Sequence, residues 1–187
     1  MKGEWCYFKS YFSKEYCNSL IEKTKSLDFS PGNMGISGEM IDSNLRKVMC
    51  LNLDDIYFDQ FYSELWDLQV VANNQWFNFA IDEIEVVQLL QYSGKNLSKY
   101  ESHKDTFWVT KNQKHRKLTA IVQLSDPNSY EGGDFTLYDC GEYPLPEEIR
   151  EQGTVIIFPS MIYHKVSEVT SGTRHSAVSW FLGPYFR

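Results

Sequence analysis

From residue 76 onward the chain breaks into short runs of β-branched and aromatic residues separated by turn chemistry, and this texture restricts the fold more than any other feature. Runs over 76–79, 84–92, 100–103, 117–124, 134–137, 154–158, 163–169 and 174–182 read as strands. Between them stand turn-forming clusters such as Ser93-Gly94-Lys95-Asn96, Asp126-Pro127-Asn128, Glu131-Gly132-Gly133 and Ser171-Gly172. Helical patterns precede this run of strands and do not alternate with it, which argues against a parallel βαβ sheet. A β-sandwich or jelly roll is therefore expected.

The first 75 residues have a different texture. Ser13 is placed to cap a helix with Glu15 in its first turn, and Tyr16, Cys17, Leu20, Ile21 and Leu27 recur at helical spacing. Residues 29–33, with Gly35 and Gly38 beyond, read as an irregular connection. A second helix is expected from Leu53-Asp54-Asp55, with Tyr57, Phe61, Leu65 and Leu68 on one stripe and Phe58, Tyr62 and Trp66 on another, ending at Asn73-Asn74-Gln75. A helix apolar on two sides is buried on two sides, so it should lie between a sheet and the first helix. The expectation is a single α+β domain over 1–187, mainly helical support over 1–75 and a strand core over 76–187.

Composition narrows the function. A net charge of −7 disfavours a broad phosphate-binding surface, so no nucleic-acid partner is expected. No run of about 18 apolar residues appears, which argues against a membrane span, and a soluble cytoplasmic protein is expected. The four cysteines at 6, 17, 50 and 140 form neither a Cys-x-x-Cys pair nor a zinc spacing, and read as small buried hydrophobes in a reducing compartment.

The chemistry concentrates in Tyr100-Glu101-Ser102-His103-Lys104-Asp105 and in Tyr163-His164-Lys165-Val166. Alternate side chains of an extended segment share a side, so His103 and Asp105 can present an imidazole nitrogen and a carboxylate oxygen to one point. A third ligand from His164 would complete a two-His-one-carboxylate set that leaves positions free on a ferrous ion. On the last strand Arg174, Ser176, Val178 and Trp180 share a face. If that face is the interior, the Arg174 guanidinium needs an anion; otherwise it is a surface charge or pairs with a structural acid.

The order His103-x-Asp105, His164, Arg174, Ser176, Trp180 resembles the Fe(II)- and 2-oxoglutarate-dependent dioxygenases, in particular the prolyl 4-hydroxylase-like group that includes small PKHD-type hydroxylases of bacteria and phages. The resemblance spans about residues 76–181, with Arg46 the one matching position in the helical part. It implies a double-stranded β-helix (jelly-roll) core with N-terminal supporting helices. It implies His103, Asp105 and His164 as iron ligands and Arg174 as partner of the distal carboxylate of 2-oxoglutarate, with Tyr92, Gln123 and Ser176 beside it; many relatives have a tyrosine where Gln123 stands. The implied cofactors are Fe(II), 2-oxoglutarate and O2, with ascorbate as reductant. The implied substrate is a prolyl residue of a protein or peptide, in the host cytoplasm if the chain is phage-encoded. A free amino acid or other small molecule is the alternative within the same chemistry, and a non-catalytic metal-binding jelly roll the alternative outside it. Oligomeric state is left open. Trp108 and Tyr163 are expected at the substrate rim, and residues 126–133 are a candidate lid. The basic run Lys111, Lys114, His115, Arg116, Lys117 is either rim or a solvated hairpin tip. Packing and turn geometry account for Trp180 and for Gly132-Gly133 better than the resemblance does.

Overall fold

The computed structural model describes residues 3–32, 44–106, 114–138, 140–141 and 146–186. In chain order these form β1 (Cys6–Phe8), α1 (Lys14–Thr24), β2 (Ser30–Pro31), β3 (Arg46–Lys47), β4 (Met49–Asn52), α2 (Asp59–Ala72), β5 (Glu83–Ser93), β6 (Lys99–His103), β7 (Lys114–Gln123), β8 (Tyr130–Gly132), β9 (Phe135–Leu137), α3 (Pro146–Ile149), β10 (Val155–Pro159), β11 (His164–Val166) and β12 (Val169–Pro184). The strands build two sheets. A major one of eight runs β1, β10, β7, β12, β5, β4, β2, with β8 added against β12, and a minor one of four runs β3, β6, β11, β9. Every pairing is antiparallel. This is the expected α+β jelly roll.

Two apolar layers explain why some strands read as unbroken hydrophobic runs. In β10, Val155 and Ile157 face the layer shared with the helices, while Ile156 and Phe158 face the layer between the sheets. The same split sends Ala177 and Phe181 of β12 toward the helices and Val178, Trp180 and Leu182 into the barrel. A sheet covered on both faces has no polar side to alternate with. Phe61, Leu65 and Leu68 of α2 lie against the sheet, and Phe61 meets Phe12, just before α1, at 5.2 Å between ring centroids. The helix is covered on two sides, as its two stripes require.

Several boundaries differ from those expected, each for a local reason. The helix over 53–55 starts instead at Asp59, because the Asp54 carboxylate accepts from the backbone N–H groups of Ile56 and Tyr57 and holds a turn there. Tyr57 falls in that turn and is exposed. The strand expected over 76–79 is a π-helical turn, Asn73–Phe77, that prolongs α2. The Asn73 side-chain amide bonds both polar groups of the Phe79 backbone, at 2.8 Å each, and so takes the place of a neighbouring strand. The first helix stops at Thr24 and leaves Leu27 exposed. Ser171-Gly172 lies inside β12, where Gly172 at φ +70° bends the strand onto β8. Segment 1–75, expected to be mainly helical, also supplies β1, β2, β3 and β4.

All four cysteines are buried and free. Among the described residues no helix is long and apolar enough to cross a membrane.

Candidate active site

Strand register places the two histidines. His164 stands directly opposite His103 across the β11–β6 ladder, so both rings leave the same face of the minor sheet, 4.2 Å apart. His103 Nδ1 lies 2.8 Å from the Glu101 carbonyl and His164 Nδ1 lies 3.1 Å from the Ile162 carbonyl. A carbonyl can only accept, so each Nδ1 carries the proton and each Nε2 turns a lone pair to the interior. Burial and the neighbouring His164 push the His103 imidazole down to about 4, which keeps it neutral and able to ligate.

Asp105 arrives differently from the way its spacing suggests. β6 ends at His103, and Asp105 sits in the bend beyond. Its backbone N–H donates to the Ser160 carbonyl at 2.9 Å, and its Oδ2 accepts from the Thr119 hydroxyl at 2.8 Å. Oδ1 is 3.7 Å from His103 Nε2 and Oδ2 is 3.5 Å from His164 Nε2. Burial alone would raise this carboxyl, but His164, His103, Arg116 and the Trp180 indole together more than offset it and hold the group below its ordinary range. One ligand atom from each of His103, Asp105 and His164 lies within 4.8 Å of the other two. Two imidazoles and one carboxylate gathered around one point suit a ferrous ion with free positions.

The major sheet supplies the opposite kind of group. Arg174, on β12, is 1% exposed, and among the described residues no carboxylate pairs with it. Its guanidinium donates to Gln123 Oε1 at 2.8 Å and to Ser176 Oγ at 3.2 Å, while its Nε has no hydrogen-bond partner. Tyr92 lies opposite Arg174 in register, with the guanidinium 5.1 Å from its ring centre, and burial pushes the phenol up to about 12, so it keeps its proton. A buried cation without a counter-ion costs several kcal/mol, about what an arriving carboxylate would offset. The residues fit the distal end of a dicarboxylate. Gly133, at φ +66°, lets the chain pass close by: a Cβ there would stand 3.0 Å from Arg174 Cδ and 2.8 Å from Val169 Cγ2.

The remaining expectations divide. Tyr163 is 40% exposed, with the Lys104 ammonium 4.4 Å from its ring centre, which places it at the surface beside His164. Trp108 and Lys111 lie outside the described residues. From Lys114 on the basic run is no solvated tip, because it is part of β7: Lys114 pairs with Asp82 and Glu83, Arg116 pairs with Glu85, and His115 and Lys117 are buried. Residues 126–133 form a short 3-10 turn and β8. Sequence reasoning missed Tyr100, whose ring stacks on His103 at 3.5 Å, and the Thr119–Ser160 hydroxyl pair behind Asp105. The spacing Tyr100-x-x-His103 carried a weak signal for the first. Nothing in the sequence pointed to the second.

A family model described as the 2OG-Fe(II) oxygenase superfamily matches residues 87–182. A PKHD-type hydroxylase of Prochlorococcus marinus is 38% identical over 84 residues, 43% of this chain and 35% of that protein. The chain thus matches about a third of the length of such relatives. A PKHD-type hydroxylase of Shewanella sp. is 28% identical over 170 residues, 90% of this chain and 74% of that protein. Among solved structures, a Pseudomonas putida prolyl-4-hydroxylase superposes with a TM-score of 0.72 at 17% identity, covering 96% of this chain and 92% of its own. A prolyl hydroxylase from Trichoplax adhaerens, solved with a peptide fragment of the hypoxia inducible factor oxygen degradation domain, superposes with a TM-score of 0.73 at 15% identity, covering 96% and 83%.

Proposed function

The chain belongs to the 2OG-Fe(II) oxygenase superfamily, and from that premise we propose that it is a 2-oxoglutarate-dependent dioxygenase that hydroxylates a prolyl residue of a protein or peptide. His103, Asp105 and His164 hold Fe(II), and Arg174, with Ser176, Tyr92 and Gln123 around it, holds the distal carboxylate of 2-oxoglutarate. The observation that carries this reading is the buried, acid-free guanidinium of Arg174 on the same interior face of the barrel as Trp180 and Val178, in a fold that also gathers the His-Asp-His set.

When bound, Fe(II), O2 and 2-oxoglutarate supply the oxidising power for C–H hydroxylation, with the cosubstrate leaving as succinate and carbon dioxide. The protein does the rest. Neutral His103 and charged Asp105 ligate without a proton having to leave at neutral pH. Arg174 fixes the cosubstrate by its far end, and the apolar layer around it, with Phe158 and Phe135 packed near His164, keeps bulk water from the centre. The prolyl assignment rests on the kinship with PKHD-type hydroxylases and on fold neighbours that are prolyl hydroxylases. The residues of this reading fall within one domain over 1–187.

The test is incubation with Fe(II), 2-oxoglutarate, ascorbate and a pool of proline-containing peptides, reading succinate and a gain of one oxygen atom by mass spectrometry, with His103→Ala as control. Succinate release with oxygenation of free amino acids alone would move the substrate to a small molecule. Neither succinate nor metal-dependent 2-oxoglutarate binding would leave a non-catalytic metal module.

A further inference from the structure

We infer that Thr119, backed by Ser160, is a positioning residue that makes Asp105 ligate through Oδ1 alone and so keeps a coordination position open for the cosubstrate. The inference rests on the metal assignment above. The two histidines need no such help, because cross-strand register already sets them. Asp105 lies past the end of β6, and each of its oxygens faces one imidazole at nearly the same distance, Oδ1 3.7 Å from His103 and Oδ2 3.5 Å from His164. Nothing in that arrangement distinguishes one oxygen from the other, and a carboxylate free to chelate with both would fill two positions.

Thr119 removes the equivalence. Its hydroxyl proton is committed to Oδ2 at 2.8 Å, a bond between groups with almost no solvent contact. A threonine hydroxyl has one proton, so in the 2.9 Å contact between Thr119 and Ser160 it is Ser160 that donates. The two hydroxyls therefore form a one-way chain, Ser160 to Thr119 to Oδ2, in which each bond polarises the next. This drains electron density from Oδ2 and leaves Oδ1 the better ligand. Ser160 also fixes the main chain of the same bend, since its carbonyl accepts from the N–H groups of Asp105 and Thr106 at 2.9 and 3.1 Å. Thr119 and Ser160 are fully buried and touch neither histidine in any hydrogen bond, so their hydroxyls serve the aspartate.

The test uses calorimetric titration of the full chain, first with Mn(II) in place of Fe(II), then of the Mn(II)-loaded protein with 2-oxoglutarate. Thr119→Val keeps the shape and deletes the donor. Its Mn(II) affinity should stay within about threefold of the parent or tighten, while 2-oxoglutarate affinity falls by about tenfold or more, and Thr119→Ser should restore it. Visible absorption of the Co(II) form should report a changed ligand set in Thr119→Val only. Unchanged 2-oxoglutarate affinity in Thr119→Val would overturn the inference, and so would a parallel loss of metal and cosubstrate, which is what a merely loosened bend would give. A parent protein that takes up no Mn(II) would remove the metal assignment itself, a failure separate from any behaviour of the variants.

Discussion

The two sheets divide the site between them. The minor sheet, built from strands of two to five residues, carries both histidines, whereas the major sheet, built around the sixteen-residue β12 and the long β5 and β7, carries Arg174, Ser176, Tyr92 and Gln123. The major sheet is clamped between two apolar layers and the minor sheet packs on one. What this teaches is a separation of tasks. The histidine pair needs only correct register between two short strands, with Asp105 tied across to Thr119 of β7, while the buried guanidinium needs the stiffest part of the molecule, because a buried charge without a counter-ion persists only if the structure cannot relax around it.

If the ends are separate, each should fail alone. His164→Ala removes one of three ligands and should weaken Mn(II) binding on the order of a thousandfold, about 4 kcal/mol, with little change in thermal stability of the metal-free protein. Metal affinity measured by competition with a chelator checks this, and a small loss would mean that His164 is not a ligand. Next in size is the support of the major sheet. Leu65, fully buried on α2, should cost about 3 kcal/mol of stability when cut to alanine, seen as a lower urea midpoint, yet leave Mn(II) affinity intact because the minor sheet does not rest on α2. Loss of metal binding in folded Leu65→Ala would show that the two sheets are not separable.

The opposite end comes third. Arg174→Met keeps the length and removes the charge, and should weaken 2-oxoglutarate binding to the Mn(II)-loaded protein roughly a hundredfold, about 2.7 kcal/mol, at unchanged metal affinity. Because no carboxylate among the described residues pairs with the parent guanidinium, the variant should be as stable as the parent or more so. Equal cosubstrate affinity would place the anion site elsewhere.

The sequence made the strands and the shared face of Arg174, Ser176, Val178 and Trp180 readable because each is a matter of period two; which way that face turns is open in the sequence and decided by the packing of Val178 and Trp180, and Asp105 joins the histidines from a bend that period two does not describe. It misled at Asp54 and Asn73, where a single polar side chain bonds the backbone and redirects it, an effect that period and propensity do not carry. It also misled at Lys114 and Arg116. A basic run reads as surface until its partners are known, and Asp82, Glu83 and Glu85 lie some thirty positions away. Thr119 and Ser160 were invisible for the same reason, since a hydroxyl on an apolar strand announces nothing until its acceptor is in place.

The smallest expected effect bears on whether the charge at the arginine end is felt beyond the pocket. His175, next to Arg174 but on the other face of β12, meets Gln91 Nε2 at 3.2 Å and Ser125 Oγ at 3.5 Å, and burial, with lesser repulsion from Arg174 and Lys25, pushes its imidazole down to about 4. Unfolded, the same group titrates near its ordinary 6.5. Between these values the unfolded chain binds the extra proton, so stability rises with pH: the contribution is full above about 6.5 and is lost as pH falls toward 4. By pH 5 the loss should be about 2 kcal/mol relative to pH 8. Urea unfolding of the parent and of His175→Gln at both pH values isolates it, because other titrating groups are common to the two proteins. If the parent and His175→Gln lose stability equally on acidification, His175 is not held neutral. If Arg174→Met halves the difference, the guanidinium reaches through the strand and the two faces of the major sheet are electrostatically coupled.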